Sequence, residues 1–302
     1  MNLLVSNSKD ALFISQLKVL DNSLSRAQQE LASGKRILNA SDDPASVPEV
    51  IQNQTELAQV QRSQANLNAL NSEVTMASSE LESAAKIMDE ISSLGMQGSS
   101  STADAQTRQL LAGQVQDLET LLVSVANATD NGRYLFGGDS DATAPYSINY
   151  ANTPPFTALT TAAATRLGID AVGNTFQIAM TATDIFNNAD PAQNIFQSVE
   201  NLRQALLNDN TTDISNALTQ LSTADHHLSS VQAYYGNAQS TITSALGLAS
   251  QMQLNLQTKQ SQLTEADQAE VITTEQTAAT QRQAMLAMRA QIPRGSLFDM
   301  LG

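Results

Sequence analysis

The sequence predicts a mainly α-helical protein: an elongated antiparallel helical bundle or coiled coil formed by amino- and carboxy-terminal segments, with a small β-rich insert at its tip. Three observations lead there. From Ile214 to Leu263 an apolar row recurs every seven residues, Ile214, Leu221, Leu228, Tyr235, Ile242, Ala249, Leu256 and Leu263. A second row, Ala217, Ala224, Val231, Ala238, Ala245 and Met252, completes a 3-4 alternation, the pattern of a helix lying along another helix. Roughly 50 helical residues span about 75 Å, well beyond an ordinary globular helix. Next, the chain of 302 residues is 41% hydrophobic but only 4% aromatic, without Trp, which suits narrow helix seams better than a thick core. Finally, the middle changes texture: Gly137-Gly138, Pro145 and Pro154-Pro155 flank short β-prone strings such as Tyr146–Tyr150 and Thr175–Ile178.

The first helix carries Phe13, Leu17, Leu20, Leu24, Ala27 and Leu31 at helical spacing and breaks at Ser33-Gly34. A second is expected from Asp43-Pro44 or, because Pro48 removes another amide, from Pro48. Its seam runs Leu67, Leu70, Val74, Ala77, Leu81, Ala84, Met88, Ile91 and should dissolve between Gly95 and Thr102. A third shows Leu111, Val115, Leu118, Leu122 and Val125 before the turn Asp130-Asn131-Gly132. Helix returns at Ala192, with Ile195, Val199, Leu202 and Leu206, and is expected to run on into the long seam. Near Asp267 the register shifts to Val271, Ala278, Met285 and Ile292, ended by Pro293. The expected domains are a terminal helical domain, 1–44 with 265–302; a helical rod, 45–137 with 191–264; and a surface insert, 138–190.

Composition excludes several function classes. A net charge of −15 repels a phosphate backbone, so no nucleic-acid partner is expected. Without cysteine there is no disulfide and no thiolate metal site. No apolar run approaches the roughly 20 residues that span a bilayer, and Met1 to Asp10 lack the basic and apolar regions of a secretory signal. There is no His-Glu-x-x-His motif and no glycine-rich phosphate loop with Lys, so no enzyme, cofactor or metal site is expected. His226 and His227 point about 100° apart on a helix and suit a surface better than one metal. Asp139-Ser140-Asp141 lacks the further ligands of a calcium loop. Asp42-Asp43, followed by Pro44, reads as helix capping rather than an acid–base pair.

Between the first two helices stands Leu31-Ala32-Ser33-Gly34-Lys35-Arg36-Ile37-Leu38-Asn39-Ala40-Ser41-Asp42-Asp43-Pro44-Ala45, which closely resembles the amino-terminal signature of bacterial flagellins and flagellin-like hook-associated proteins. Asn127-Ala128-Thr129, Gly132–Gly138 and Ser296–Leu301 look more like the hook-associated proteins of the hook–filament junction than an ordinary flagellin. The resemblance covers about 1–137 and 192–302. It implies a non-enzymatic, self-assembling subunit of the extracellular flagellum, exported through the flagellar secretion channel without a cleaved signal. Its function would be to join hook to filament by coaxial packing of terminal helices. The implied partners are copies of itself, a hook-side adaptor, flagellin and an export chaperone. Filament flagellin itself is the alternative; a cytosolic coiled-coil binding module, or an enzyme whose site lies in 138–191, is more remote.

The heptad rows of 214–263 are expected to be covered within the chain, whereas Phe13 to Leu31 and Val271 to Ile292 are expected to meet other subunits. Two terminal helices alone bury little. Replacing Leu17 and Leu24 by Asp should leave the middle domain folded yet abolish incorporation into the appendage, because a charge in a buried seam is strongly unfavourable. Fractionation of assembled material reads the outcome.

Overall fold

In the computed structural model residues 2–164 and 166–291 are described, and contacts divide the chain into two units: residues 1–58 with 253–302, and residues 59–252. The terminal unit thus extends further along the chain than the 1–44 and 265–302 expected from sequence. The helices are α1 (Asn2–Ser33), α2 (Val47–Ser99), α3 (Ala105–Ala126), α4 (Ala182–Phe186), α5 (Ile195–Leu207), α6 (Thr211–Thr264) and α7 (Gln268–Gln291). Between α3 and α4 lie three antiparallel hairpins. These pair β1 (Thr129–Asp130) with β2 (Arg133–Tyr134), β3 (Tyr146–Ile148) with β4 (Phe156–Ala158), and β5 (Leu167–Ile169) with β6 (Thr175–Gln177).

The second unit is organised by the predicted seam. Ile214, Leu221, Leu228, Tyr235, Ile242 and Ala249 of α6 are buried, as are Leu67, Val74, Leu81 and Met88 of α2. Side-chain bonds mark an antiparallel pair: Gln232 Nε2 donates to Leu81 O, Gln239 Nε2 to Thr75 Oγ1, and Gln64 Nε2 to Ser250 Oγ. As α2 advances its partner on α6 recedes in step. On this pair pack α3 and α5, whose apolar faces, including Leu111, Val115, Leu122, Val199, Leu202 and Leu206, join the same core.

Two sequence expectations change here. Helix α2 does not dissolve at Gly95 but continues to Ser99, because Gly95 and Gly98 are the places where leucines of α5 and α6 press on it. A Cβ at Gly95 would stand 2.7 Å from Leu218, and one at Gly98 would stand 2.3 Å from Leu206. Nor does α5 run on into α6: Asp209, at φ +55°, turns the chain between them. Buried Arg108 then ties both turns together, donating through Nε to Gly98 O at 2.8 Å and pairing with Asp209. The charge is satisfied by the carbonyls that the end of α2 leaves without helical partners.

The middle segment is integrated with the helices. Tyr146, Phe156, Ile178, Ile185 and Phe186 are buried together with Phe136, Phe196 and Tyr235, and their rings meet at 5.1–6.3 Å. Asn127, just past α3, exchanges two hydrogen bonds with Tyr146 and so behaves as one rung of a ladder. His227 Nε2 lies 3.0 Å from Asp184 O, joining α6 to α4. The carboxylate of Asp139 accepts from the Ala163 amide and that of Asp141 pairs with Arg133 and Arg166, so both are engaged in holding the hairpins. Gly138 adopts φ +55°, and a Cβ there would lie 2.4 Å from Ala163 O. Replacing Gly138 by Ala combines left-handed strain with a backbone clash, and chemical denaturation should register a loss of about 2 kcal/mol or more.

Candidate functional site

The signature loop and the terminal helices lie in the first unit. Helix α1 ends at Ser33, and Gly34, at φ +69°, supplies the left-handed residue after it, its amide bonding to Glu30 O at 2.8 Å. The next residues clamp the junction between α6 and α7. Ala266 N donates to Gly34 O at 3.0 Å and Arg36 N donates to Thr264 O at 2.8 Å, which sets the backbones of Lys35 and Glu265 opposite each other as an isolated antiparallel β-bridge. The Arg36 guanidinium reaches Leu263 O at 3.0 Å and Asp43 at 2.9 Å, so it binds the last turn of α6 and the approach to α2 at once. Ser33 Oγ donates back to Gln29 O and accepts from the Lys35 amide.

The two aspartates divide the capping predicted for them. Asp42 does not cap α2: its carboxylate accepts from the amides of Asn39 at 2.7 Å and Leu38 at 3.0 Å, closing the loop on itself. Asp43 takes the entry to α2, accepting from Ser46 Oγ at 2.7 Å and offering its carbonyl to Val47 N. The Asn39 and Leu38 amides hold Asp42 below the ordinary carboxylate range; the Ser46 hydroxyl and then Arg36 do the same for Asp43. Whatever these carboxylates contribute is present above that range and fades as pH falls through their lowered values. Ser41 and Pro44 are exposed in the flanking turns.

Within this unit α1 and α7 pair antiparallel. Asp21 meets Arg282 at 2.6 Å and Asp10 meets Arg289 at 2.7 Å, while the Arg289 guanidinium lies 5.6 Å from the centre of the Phe13 ring. Ala27, Val271 and Ala278 are buried; Phe13, Leu17, Leu20, Leu24 and Met285 are half-buried; Leu31 is exposed. Ile292 lies outside the described residues. Most of the predicted stripe therefore lines a seam that the single chain closes only halfway. Sequence reasoning passed over a second set: Leu12, Ile14 and Val19 on α1 and Ile272, Leu286 and Met288 on α7 are exposed, Val19 at 66%. On a helical projection they fall on both flanks of the seam rather than on it. They were detectable as apolar residues left over by the 3-4 row. A further overlooked residue is Asn53, buried with its Nδ2 donating to Leu256 O and to Gln260 Oε1, which fixes α2 against α6 in this unit.

Among the described residues no group of three or more His, Asp or Glu is arranged to hold a metal, and no helix is long and apolar enough to cross a membrane. What the site offers is backbone clamping and apolar surface. Replacing Arg36 by Ala should remove the bonds to Leu263 and Asp43 at a cost of about 1 kcal/mol. Hydrogen exchange should then show faster exchange of the Ala266 and Arg36 amides, with Arg36→Lys restoring only part of the protection.

Comparison with known proteins accords with these features. The family model for the bacterial flagellin N-terminal helical region matches residues 7–141, which include the signature loop, α2 and α3. Flagellar hook-associated protein 3 of Escherichia coli is 32% identical over 122 residues, 39% of this chain and 38% of that protein. The chain's match thus spans well under half the length of that relative. A flagellar hook-associated protein from Vibrio parahaemolyticus superposes with a TM-score of 0.66 at 16% identity, covering 74% of this chain and all of that one. The flagellar hook associated protein-3 from Legionella pneumophila gives 0.61 at 14% identity over 71% of this chain and 98% of that one. Residues 7–141 are therefore similar to the bacterial flagellin N-terminal helical region, in a chain similar over part of its length to flagellar hook-associated protein 3 and with the fold of flagellar hook-associated proteins.

Proposed function

We propose that the chain is a structural, non-enzymatic subunit of the bacterial flagellum that joins hook to filament through its terminal helices. The observation that carries this reading is the half-closed α1–α7 pair with apolar side chains on both flanks. Leu12, Ile14, Val19, Ile272, Leu286 and Met288 are exposed in the single chain, where each forgoes part of the roughly 1.5–3 kcal/mol that full burial of such a side chain contributes. Coverage on two sides by neighbouring copies, or by axial proteins of the same kind, satisfies both flanks. Contacts of one flank with the opposite flank of the next subunit are heterologous, and heterologous contacts generate rings or helical stacks.

The similarity to hook-associated protein 3 supports the junction role over that of filament flagellin, and the flagellin N-terminal region supports an axial position. Export through the flagellar channel, with a chaperone and without a cleaved signal, belongs to the same proposal. The signature loop has a mechanical part in it: by tying the ends of α1, α6 and α7 together, it sets the angle at which the pair leaves the loop.

The sharpest variant is Leu12→Asp with Val19→Asp. Both side chains are exposed, so the α1–α7 pair of the single chain should keep its circular dichroism and thermal transition, whereas incorporation into the appendage should fall below detection. Incorporation at the normal level would remove these flanks from the interface.

A further inference from the structure

The second unit has an open strand edge that plays no part in the junction role proposed for the terminal helices. Hairpin β5–β6 is a sheet of two strands, with Leu167 opposite Gln177, Gly168 opposite Phe176 and Ile169 opposite Thr175. Its ladder continues with Asp170 N donating to Asn174 O at 3.0 Å and Ile178 N to Arg166 O at 3.4 Å. An antiparallel ladder bonds every second pair, so Arg166, Gly168 and Asp170 turn their main-chain groups to β6, and Leu167 and Ile169 turn theirs outward. Among the described residues no protein group bonds to those outward amides and carbonyls. The inner face of the hairpin is closed: the Phe176 ring lies so close to Gly168 that a Cβ there would stand 2.5 Å from it. The outer face is open, with Leu167 at 50% and Ile169 at 55% exposure.

Along this edge runs a cleft of about 610 Å³ whose far wall is α2. Asn66, Ala69, Leu70 and Glu73, spaced three and four apart, give the cleft one face of that helix. Arg166 pairs with Glu73 and so ties the start of β5 to α2. The charged residues of the cleft balance, Glu73 and Asp130 against Arg133 and Arg166, which makes it a neutral site on a chain of net charge −15. What it leaves uncovered is backbone and apolar surface. Outward amides and carbonyls at a strand edge are completed by the main chain of another strand. A second copy presenting the same edge about a two-fold axis would drive its own α2 against this hairpin, so the space suits a lone extended segment.

We propose that the cleft between β5 and α2 is a strand-accepting groove: an extended, uncharged segment of a neighbouring protein chain bonds to Leu167 and Ile169 through its main chain and lays alternate side chains on Ala69 and Leu70. Side chains of a strand alternate between faces, so one set meets α2 while the other lies beside Leu167 and Ile169. From Asn66 to Glu73 the helix offers about 10 Å, the length of about three strand residues. The occupant is therefore gripped over a short stretch, by backbone bonds first and by apolar contact second.

The test titrates the whole chain with a capped peptide, acetyl-Thr-Val-Thr-Val-Thr-amide, and follows the amide resonances and hydrogen exchange of Leu167 and Ile169. The groove requires both amides to shift and to gain about tenfold protection at saturation, the equivalent of about one backbone bond each. N-methylation of alternate peptide amides should abolish binding for the set that faces β5 and spare it for the other. Ile169→Pro removes one outward amide without touching the ladder to β6, and should weaken the peptide about tenfold or more. Should that variant lose the hairpin, the N-methyl series on the unaltered chain decides. No shift by about 1 mM peptide, or binding indifferent to N-methylation, would overturn the proposal. So would protection of these amides that rises with the concentration of the chain alone, since the occupant would then be a second copy. None of these outcomes bears on the terminal helices, whose role is read from incorporation into the appendage.

Discussion

The seam between α2 and α6 is the constraint on which the second unit depends. A helix with apolar residues alternating three and four apart cannot be stable alone in water over 54 residues; it needs a partner of matching period. Helix α2 provides it, with Leu67, Val74, Leu81 and Met88 meeting the α6 rows. Once that pair exists, its remaining apolar surface dictates where α3 and α5 lie, and Gly95 and Gly98 let the leucines of α5 and α6 come close. The hairpins between α3 and α4 are too short to stand alone. They persist because Tyr146 and Phe156 enter the same core beside Phe136, Phe186, Phe196 and Tyr235.

The terminal unit is built on a different balance. Among its described residues the buried apolar side chains are Ala27, Val271 and Ala278, all small or medium, and the larger ones on the seam are only half-covered. The ion pairs between α1 and α7, Asp21–Arg282 and Asp10–Arg289, are about half exposed and contribute little each. The signature loop is where the unit is tightly defined, since backbone bonds from Gly34, Arg36 and Ala266 cannot be exchanged for others by side-chain motion. A pair so weakly closed, held by a well-made joint, suits a segment whose stability is completed by neighbours. That is the physical core of the proposed junction role.

Much of this was legible in the sequence because periodicity reports directly on burial. The α6 rows predicted every buried seam residue from Ile214 to Ala249, and the α1 helix ended at Ser33 where Gly34 said it would. What periodicity could not show was which breaks are real. Gly95 looked like a terminus and is a packing site, whereas Asn208–Asn210, with no Gly or Pro, is a turn because Asp209 adopts a positive φ. The candidate site was partly readable. The signature residues were recognisable as a set, but the Arg36 bonds to Leu263 and Asp43 join positions distant in sequence, and no local signal marks them. The exposed flank residues Leu12, Val19 and Leu286 were missed because the strongest apolar row drew attention to the seam itself.

The central claim, that the half-closed terminal pair is completed by axial neighbours at the junction of hook and filament, is tested most directly by where the chain resides. Quantitative mass spectrometry of sheared flagella, combined with epitope labelling, measures both copy number and position. The account predicts a small fixed number of copies confined to the hook end. A chain abundant along the whole shaft would be a filament subunit instead, and absence from the appendage would contradict the account altogether.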